Sequence, residues 1–179
     1  SMQVATEKKL AARAVALGQS ANAAAFSELA NLTRSESALA RRLAASALGK
    51  LSGIVAAGPA VDVLQCLLGD AHPQVRQYAA KALGAFGVAA EKTLPDLRDL
   101  YRNPTEKEYV KRSVVAAGTT ICEAARIAQK KVVHVCRKCG ARVEGDEYAR
   151  SQRFFQRTFC DTCFDETMLE RRNFETMVE

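Results

Sequence analysis

The chain has 179 residues, of which 48% are apolar and 26% charged. That composition belongs to a sequence that folds in water as one ordinary domain or two small ones, and it excludes long disorder. No run approaches the roughly 18 to 20 uncharged apolar residues that cross a bilayer, and no signal-peptide h-region precedes a cleavage site. The expectation is a non-secreted, cytoplasmic chain with no membrane partner, in which Ser1 before Met2 reads as a tag remnant.

Composition changes near residue 131. The first part holds 30 of the 32 alanines, and the last 48 residues hold six of the 11 aromatics and four of the six cysteines. Lys and Arg number 18 against 11 Asp and Glu in the first part and 8 against 9 in the second, giving +7 and −1. Two domains are therefore expected, 3–131 and 132–179, with the basicity in the first.

The first part repeats itself with a period of 35 residues. Ala40-Arg41-Arg42-Leu43-Ala44-Ala45-Ser46-Ala47-Leu48-Gly49 lies over Val75-Arg76-Gln77-Tyr78-Ala79-Ala80-Lys81-Ala82-Leu83-Gly84, and the same offset carries Phe26, Leu29 and Leu32 onto Val61, Leu64 and Leu67. After a two-residue shift, Leu94, Leu97 and Leu100 continue the series. A weaker copy follows from Val110-Lys111-Arg112 to Ile121, and a degenerate one precedes at Leu10 to Gly18. Each unit carries two apolar stripes at helical spacing separated by Gly or Pro, the pattern of an αα-hairpin. Gly49 and Gly84 are expected at C′ positions, just past a helix end. One hairpin cannot bury its own apolar face, but about four stacked hairpins can. Cys66 and Cys122 fall on apolar faces and read as buried thiols, and His72 before Pro73 reads as a surface turn residue.

The segment Asp70-Ala71-His72-Pro73-Gln74-Val75-Arg76-Gln77-Tyr78-Ala79-Ala80-Lys81-Ala82-Leu83-Gly84 closely resembles the HEAT repeat, in the short bacterial form also found in phycobilisome-lyase-type proteins. The resemblance covers residues 3–131 and is strongest in the middle units. It implies that Asp70 in the inter-unit turn pairs with Arg76. Ser35 and Thr105 stand at the corresponding aspartate positions, so a continuous Asp–Arg ladder is not expected.

In the second part, Cys136-Arg-Lys-Cys139 and Cys160-Asp-Thr-Cys163 form two C-x2-C pairs separated by 20 residues. This spacing is that of a four-cysteine zinc site, because two cysteines so placed turn toward one ion from a tight knuckle. Gly140 supplies the backbone freedom such a knuckle needs. The competing readings are disulfides, disfavoured without a signal peptide, and a redox pair, which expects a βαβ context that is missing. Four thiolates close the coordination shell, so one structural Zn2+ and no chemistry at the metal is expected. His134 is a weaker substitute ligand. Val132-Val133-His134-Val135 and Ala141-Arg142-Val143 are expected as strands, and 164–178 as a helix with Phe164, Met168, Leu169, Met177 and Val178 as its apolar positions. Knuckle, hairpin, knuckle and helix resemble a zinc ribbon or treble clef. The fold class expected is thus all-α: an α-solenoid of about four HEAT-like helix pairs, then a small zinc-binding α+β module.

Function is read as a non-enzymatic adaptor or scaffold that binds a protein partner through the repeat surface. Gln65, Arg98, Asp99, Tyr101 and Arg102 are placed on the second helices that would supply it. The residues weighted most are Arg98, Arg102, Lys111 and Arg112, which imply an acidic partner. The alternative is a nucleic-acid-binding accessory protein that uses the basic repeats and Arg150, Arg153, Phe155 and Arg157 of the module, where aromatics among arginines suit base stacking and phosphate contact. The other use of those phenylalanines is as the core of a 48-residue module, which has few other apolar residues. HEAT-like DNA glycosylases stack lesions on tryptophan, and the chain has none. From the phycobilin lyases of this repeat class the C-terminal four-cysteine module is a departure, which counts against that reading. The sequence does not set the oligomeric state.

Overall fold

The computed structural model describes residues 2–131 and 134–178. The chain divides into two compact units, residues 1–127 and 128–179. The first contains α1 (Met2–Gln19), α2 (Ala25–Leu32), α3 (Ala38–Lys50), α4 (Ala57–Leu67), α5 (Pro73–Phe86), a 3-10 segment (Gly87–Thr93), α6 (Leu94–Arg102) and most of α7 (Glu108–Lys131). α2 packs on α3 and α4 on α5, while α3 lies along both α1 and α5. The described residues thus form a helical solenoid of four layers, the first represented by α1 alone. The pairing frame differs from the sequence expectation by one helix: α4 belongs with α5 and only brushes α3. Gln65, Arg98, Asp99, Tyr101 and Arg102 consequently stand on α4 and α6, the first helices of their pairs.

α3 and α5 start at side-chain caps. The Ser37 side chain accepts from the Ala40 amide at the start of α3, and His72 Nδ1 accepts from the Gln74 amide at the start of α5, with Pro73 in the first turn. Such partners satisfy amides that the first turn leaves without an intrahelical acceptor. α5 ends at Gly87, whose φ of +57° favours glycine.

The core is built from small residues. Ala44, Ala45, Leu48, Leu64, Val75, Ala79, Ala80 and Leu83 are completely buried. Alanine removes little apolar area from water, so a core of this kind depends on close helix approach for its dispersion contacts. Gly49 and Gly84 provide it, and they lie inside α3 and α5 rather than past their ends. A Cβ on Gly49 would stand 3.0 Å from the Cα of Ala82, and one on Gly84 3.2 Å from the Cα of Ala117. Gly18 of α1 meets Ala47 in the same way, at 3.0 Å. The glycines therefore mark where consecutive layers touch backbone to side chain, and their helix-breaking tendency is overridden by packing.

A second repeating contact joins the turns between layers. Arg41 grips Asp70 with both Nε and Nη2, at 2.8 and 3.1 Å, while its Nη1 donates to the carbonyls of Ser35 and Glu36. Arg76 repeats this one layer on, with Nε and Nη2 on Glu106 at 2.8 Å each and Nη1 on the carbonyls of Asp70 and Ala71. Each arginine thus closes its own turn and holds the carboxylate of the next. This corrects the expected Asp70–Arg76 side-chain pair: Arg76 reaches only the Asp70 carbonyl. A ladder also exists where none was expected, since Glu106, one residue past Thr105, supplies the acid. Lys111, 35 residues after Arg76, occupies the next rung position.

Burial disfavours the charged form of Asp70 and Glu106, but the guanidiniums of Arg41 and Arg76 and the amides of His72 and Lys107 outweigh it. Both carboxyls are held below their usual range. Cys66 and Cys122 are exposed rather than buried, because each sits at the edge of its helix's apolar stripe.

The second unit contains β1 (His134–Val135), β2 (Arg142–Val143), α8 (Gly145–Phe155) and α9 (Asp161–Val178). The strands form an antiparallel hairpin with His134 opposite Val143 and Val135 opposite Arg142. Val132 and Val133 of the expected strand lie outside the described residues. Of the apolar positions expected on the last helix, Phe164 is buried, whereas Leu169, Met177 and Val178 are exposed.

Two outcomes follow for the repeats. Because the folded carboxyls lie below their unfolded values, their contribution is fully present above the usual carboxylate range and is lost as pH falls through the folded values. The resistance of the repeats to urea should therefore weaken below about pH 5. Glu106→Gln should cost about 1 to 3 kcal/mol at neutral pH and flatten that acid limb. Gly49→Ala should destabilise by about 1 to 3 kcal/mol through overpacking against Ala82. Gly118→Ala, where an added Cβ meets nothing within 4 Å, should instead gain about 0.5 to 1 kcal/mol.

Candidate metal centre

The sulfurs of Cys136, Cys139, Cys160 and Cys163 lie within 4.8 Å of one another. The Cys139 and Cys160 sulfurs are 3.7 Å apart. Four sulfurs at about 2.3 Å from a tetrahedral ion would be about 3.8 Å apart, so the donor set and its spacing fit a single four-coordinate metal. His134 is not in the cluster: its ring stacks on Tyr148 with centroids 3.7 Å apart.

Local backbone explains the placement. The Cys136 amide donates to the Ala141 carbonyl at 2.7 Å, and the Gly140 amide to the Cys136 carbonyl at 2.8 Å, with Gly140 at φ +77°. That folds the first pair into a knuckle. The second pair straddles the start of α9, where the Phe164 amide donates to the Cys160 carbonyl at 2.8 Å. Lys138, inside the first knuckle, reaches Glu166 and Glu170 of α9.

The thiols differ in their readiness to ionise. Burial works against the Cys136 thiolate, but the amides of Cys160, Cys139 and Lys138 point at its sulfur and bring it down to about 6. Burial and then the neighbouring thiols of Cys160, Cys139 and Cys136 push Cys163 up. At Cys139 the Ala141 amide favours the thiolate, and the thiols of Cys136 and Cys160 outweigh it, so that it too is raised. Four sulfurs this close cannot all be anionic without a cation among them. Thiolates are the form that binds a metal, so the cluster has the chemistry of a site that a soft or borderline divalent ion would complete.

Between the pairs, Tyr148, Arg150, Phe155 and Phe159 are half-buried and Phe154 is exposed. Phe155 packs edge-on against Phe159 and Phe164, at 5.3 and 5.1 Å. Arg150 lies 3.9 Å over the Phe164 ring and pairs with Asp161 and Asp165. Arg153 and Arg157 are exposed. Ser151 has no counterpart in the sequence reading. It is fully buried, donates to the Arg157 carbonyl at 2.5 Å and accepts from the Phe159 amide at 2.7 Å. It thereby clamps the turn that delivers Cys160, a turn in which Gln156 takes a left-handed φ of +55°. A serine in a polar helical stretch gives no sequence signal for such a role.

In the repeats, Arg98 and Arg102 are exposed one turn apart on α6, where Asp96 and Asp99 stand beside them. On α7, Arg112 is exposed and Lys111 is half-buried. No helix of the described residues is long and apolar enough to cross a membrane. Residues 56–118 match the family of HEAT repeats, a span that opens at the residue preceding α4 and closes within α7. No curated protein matches the chain.

Proposed function

We propose that this chain is a non-enzymatic adaptor of the cytosol, whose HEAT-like repeats bind a protein partner and whose C-terminal module, of zinc-ribbon or treble-clef type, is held by one structural zinc ion. The observation that carries the reading is the division of the repeats' cations. Arg41 and Arg76 spend their donors inside the ladder, while Arg98, Arg102, Lys111 and Arg112 have no carboxylate partner among the described residues. Solenoid repeats present such side chains along an extended surface suited to another protein. An acidic partner fits these four. Zinc is favoured because four thiolates in tetrahedral reach suit it and leave no open position for catalysis. Nucleic-acid binding through the module is weakened, since Arg150 and Phe155 are engaged internally.

Purified protein should carry about one zinc per chain, measured by elemental analysis; iron, or no metal with disulfides, would refute the assignment. Because metal binding supplies folding free energy to such a module, a chelator should unfold residues 128–179 and leave most of the helical circular dichroism of the repeats.

The adaptor reading is tested by the salt dependence of binding to labelled single-stranded and duplex DNA. Only weak association in the non-specific range of about 10⁻⁴ to 10⁻⁶ M at physiological salt is expected. In cross-linking from source-cell extract, a protein partner should be lost with Arg98→Glu/Arg102→Glu/Arg112→Glu. Nanomolar, steeply salt-dependent DNA binding would replace this reading with the nucleic-acid one.

A further inference from the structure

The furrow between α3 and α5 differs from the rest of the repeat surface. Gly49 and Ala82 form its floor, because the close approach of the two helices there leaves no larger side chain. Lys50 and Lys81 stand on its walls with Tyr78, around a depression of about 280 Å³ lined by no acidic residue. The Tyr78 ring has the Lys81 ammonium 5.2 Å and the Arg42 guanidinium 5.4 Å from its centroid. Two like charges are thus drawn to one ring, a site that cation–π attraction stabilises and that their mutual repulsion opposes. Neither lysine nor Arg42 has a carboxylate partner among the described residues. Arg42 donates Nη1 to Gln74, and its buried Nε has no acceptor. Arg42 therefore approaches the ring from outside the depression and does not line it.

The patch does not continue along the stack. At the 35-residue equivalents, Ser46, Lys81 and Ala116 form one series and Lys50, Ala85 and Thr120 the other. In α1, aligned through Gly18, the positions are Val15 and Gln19. A nucleic-acid backbone offers phosphates at regular intervals and is matched by a continuous basic stripe. A cationic spot confined to one furrow is matched instead by a few carboxylates.

We infer that the α3–α5 furrow is a docking site for an acidic peptide segment of a protein partner, with Lys50 and Lys81 receiving its carboxylates and Tyr78 lying under the chain. This rests on the adaptor reading and adds a second contact face, separate from Arg98, Arg102, Lys111 and Arg112, for an acidic partner.

The test uses the full chain and a fluorescein-labelled decaglutamate peptide, followed by anisotropy, with labelled oligo-dT of ten nucleotides as the comparison. The unaltered protein is expected to bind the peptide more tightly than the oligonucleotide. Lys50→Glu/Lys81→Glu should weaken the peptide at least tenfold, with the thermal midpoint unchanged because both side chains are exposed. Tyr78→Leu should weaken it less. No peptide binding, or equal affinity in the double variant, overturns the inference. If peptide binding is lost instead in Arg98→Glu/Arg102→Glu, the furrow is wrong and the adaptor reading stands. If the oligonucleotide binds more tightly than the peptide and is the ligand lost in Lys50→Glu/Lys81→Glu, both fall.

Discussion

The repeats rest on helices that approach until one partner contributes no side chain. Gly18, Gly49 and Gly84 present bare backbone to Ala47, Ala82 and Ala117 of the following layer, and the alanine-rich core is adequate only because of that proximity. Larger residues at these crossings would separate the layers and open voids around Leu48 and Leu83, which nothing nearby is long enough to fill. The same proximity sets the turns side by side, which puts Arg41 within reach of Asp70 and Arg76 within reach of Glu106. The ladder follows from the close packing. The furrow over Gly49 and Ala82 has the same origin, since small residues at the crossing leave an indentation that larger ones would fill.

The C-terminal unit is organised by a different constraint. Its described buried core is little more than Val143, Phe164 and two of the cysteines, too small to hold about 50 residues by burial alone. Cross-links must supply the difference. Around the sulfur cluster, Lys138, Arg150 and Ser151 tie the knuckles to α8 and α9. Outside it α9 runs on with Phe174 and Met177 exposed.

What could be read from the sequence was what repeats or sits close together along the chain. The 35-residue period gave the layers because each unit buries the same positions, and the two C-x2-C pairs gave the sulfur cluster because knuckle geometry is local. Three-dimensional pairing was harder. Asp70 and Arg76 are six residues apart and look like partners, yet a guanidinium at that position points across to the next turn and leaves the Asp70 carboxylate to Arg41. Glu106 was hidden by a one-residue displacement from Thr105. Gly49 and Gly84 followed the composition of a helix end, but their role is set by a neighbour 33 residues away. The exposed positions of Cys66 and Cys122, and the clamp made by Ser151, depend on which side of a helix faces its neighbour, and apolar patterning fixes that only to within a residue or so.

The ladder also has a direction. Both rungs run from an arginine to the acid of the layer after it, and the middle unit, with Asp70 and Arg76, brings one carboxylate and one guanidinium. A unit duplicated in the middle of the array would find its partners already in place on both sides, with no new charge to compensate. The flanking layers differ: the unit of Arg41 has Ser35 at the position of the acid, and Lys111 follows Arg76 with a flexible amine in place of a planar fork. An array of this design can grow by whole units from within, because the middle unit carries both halves of a rung.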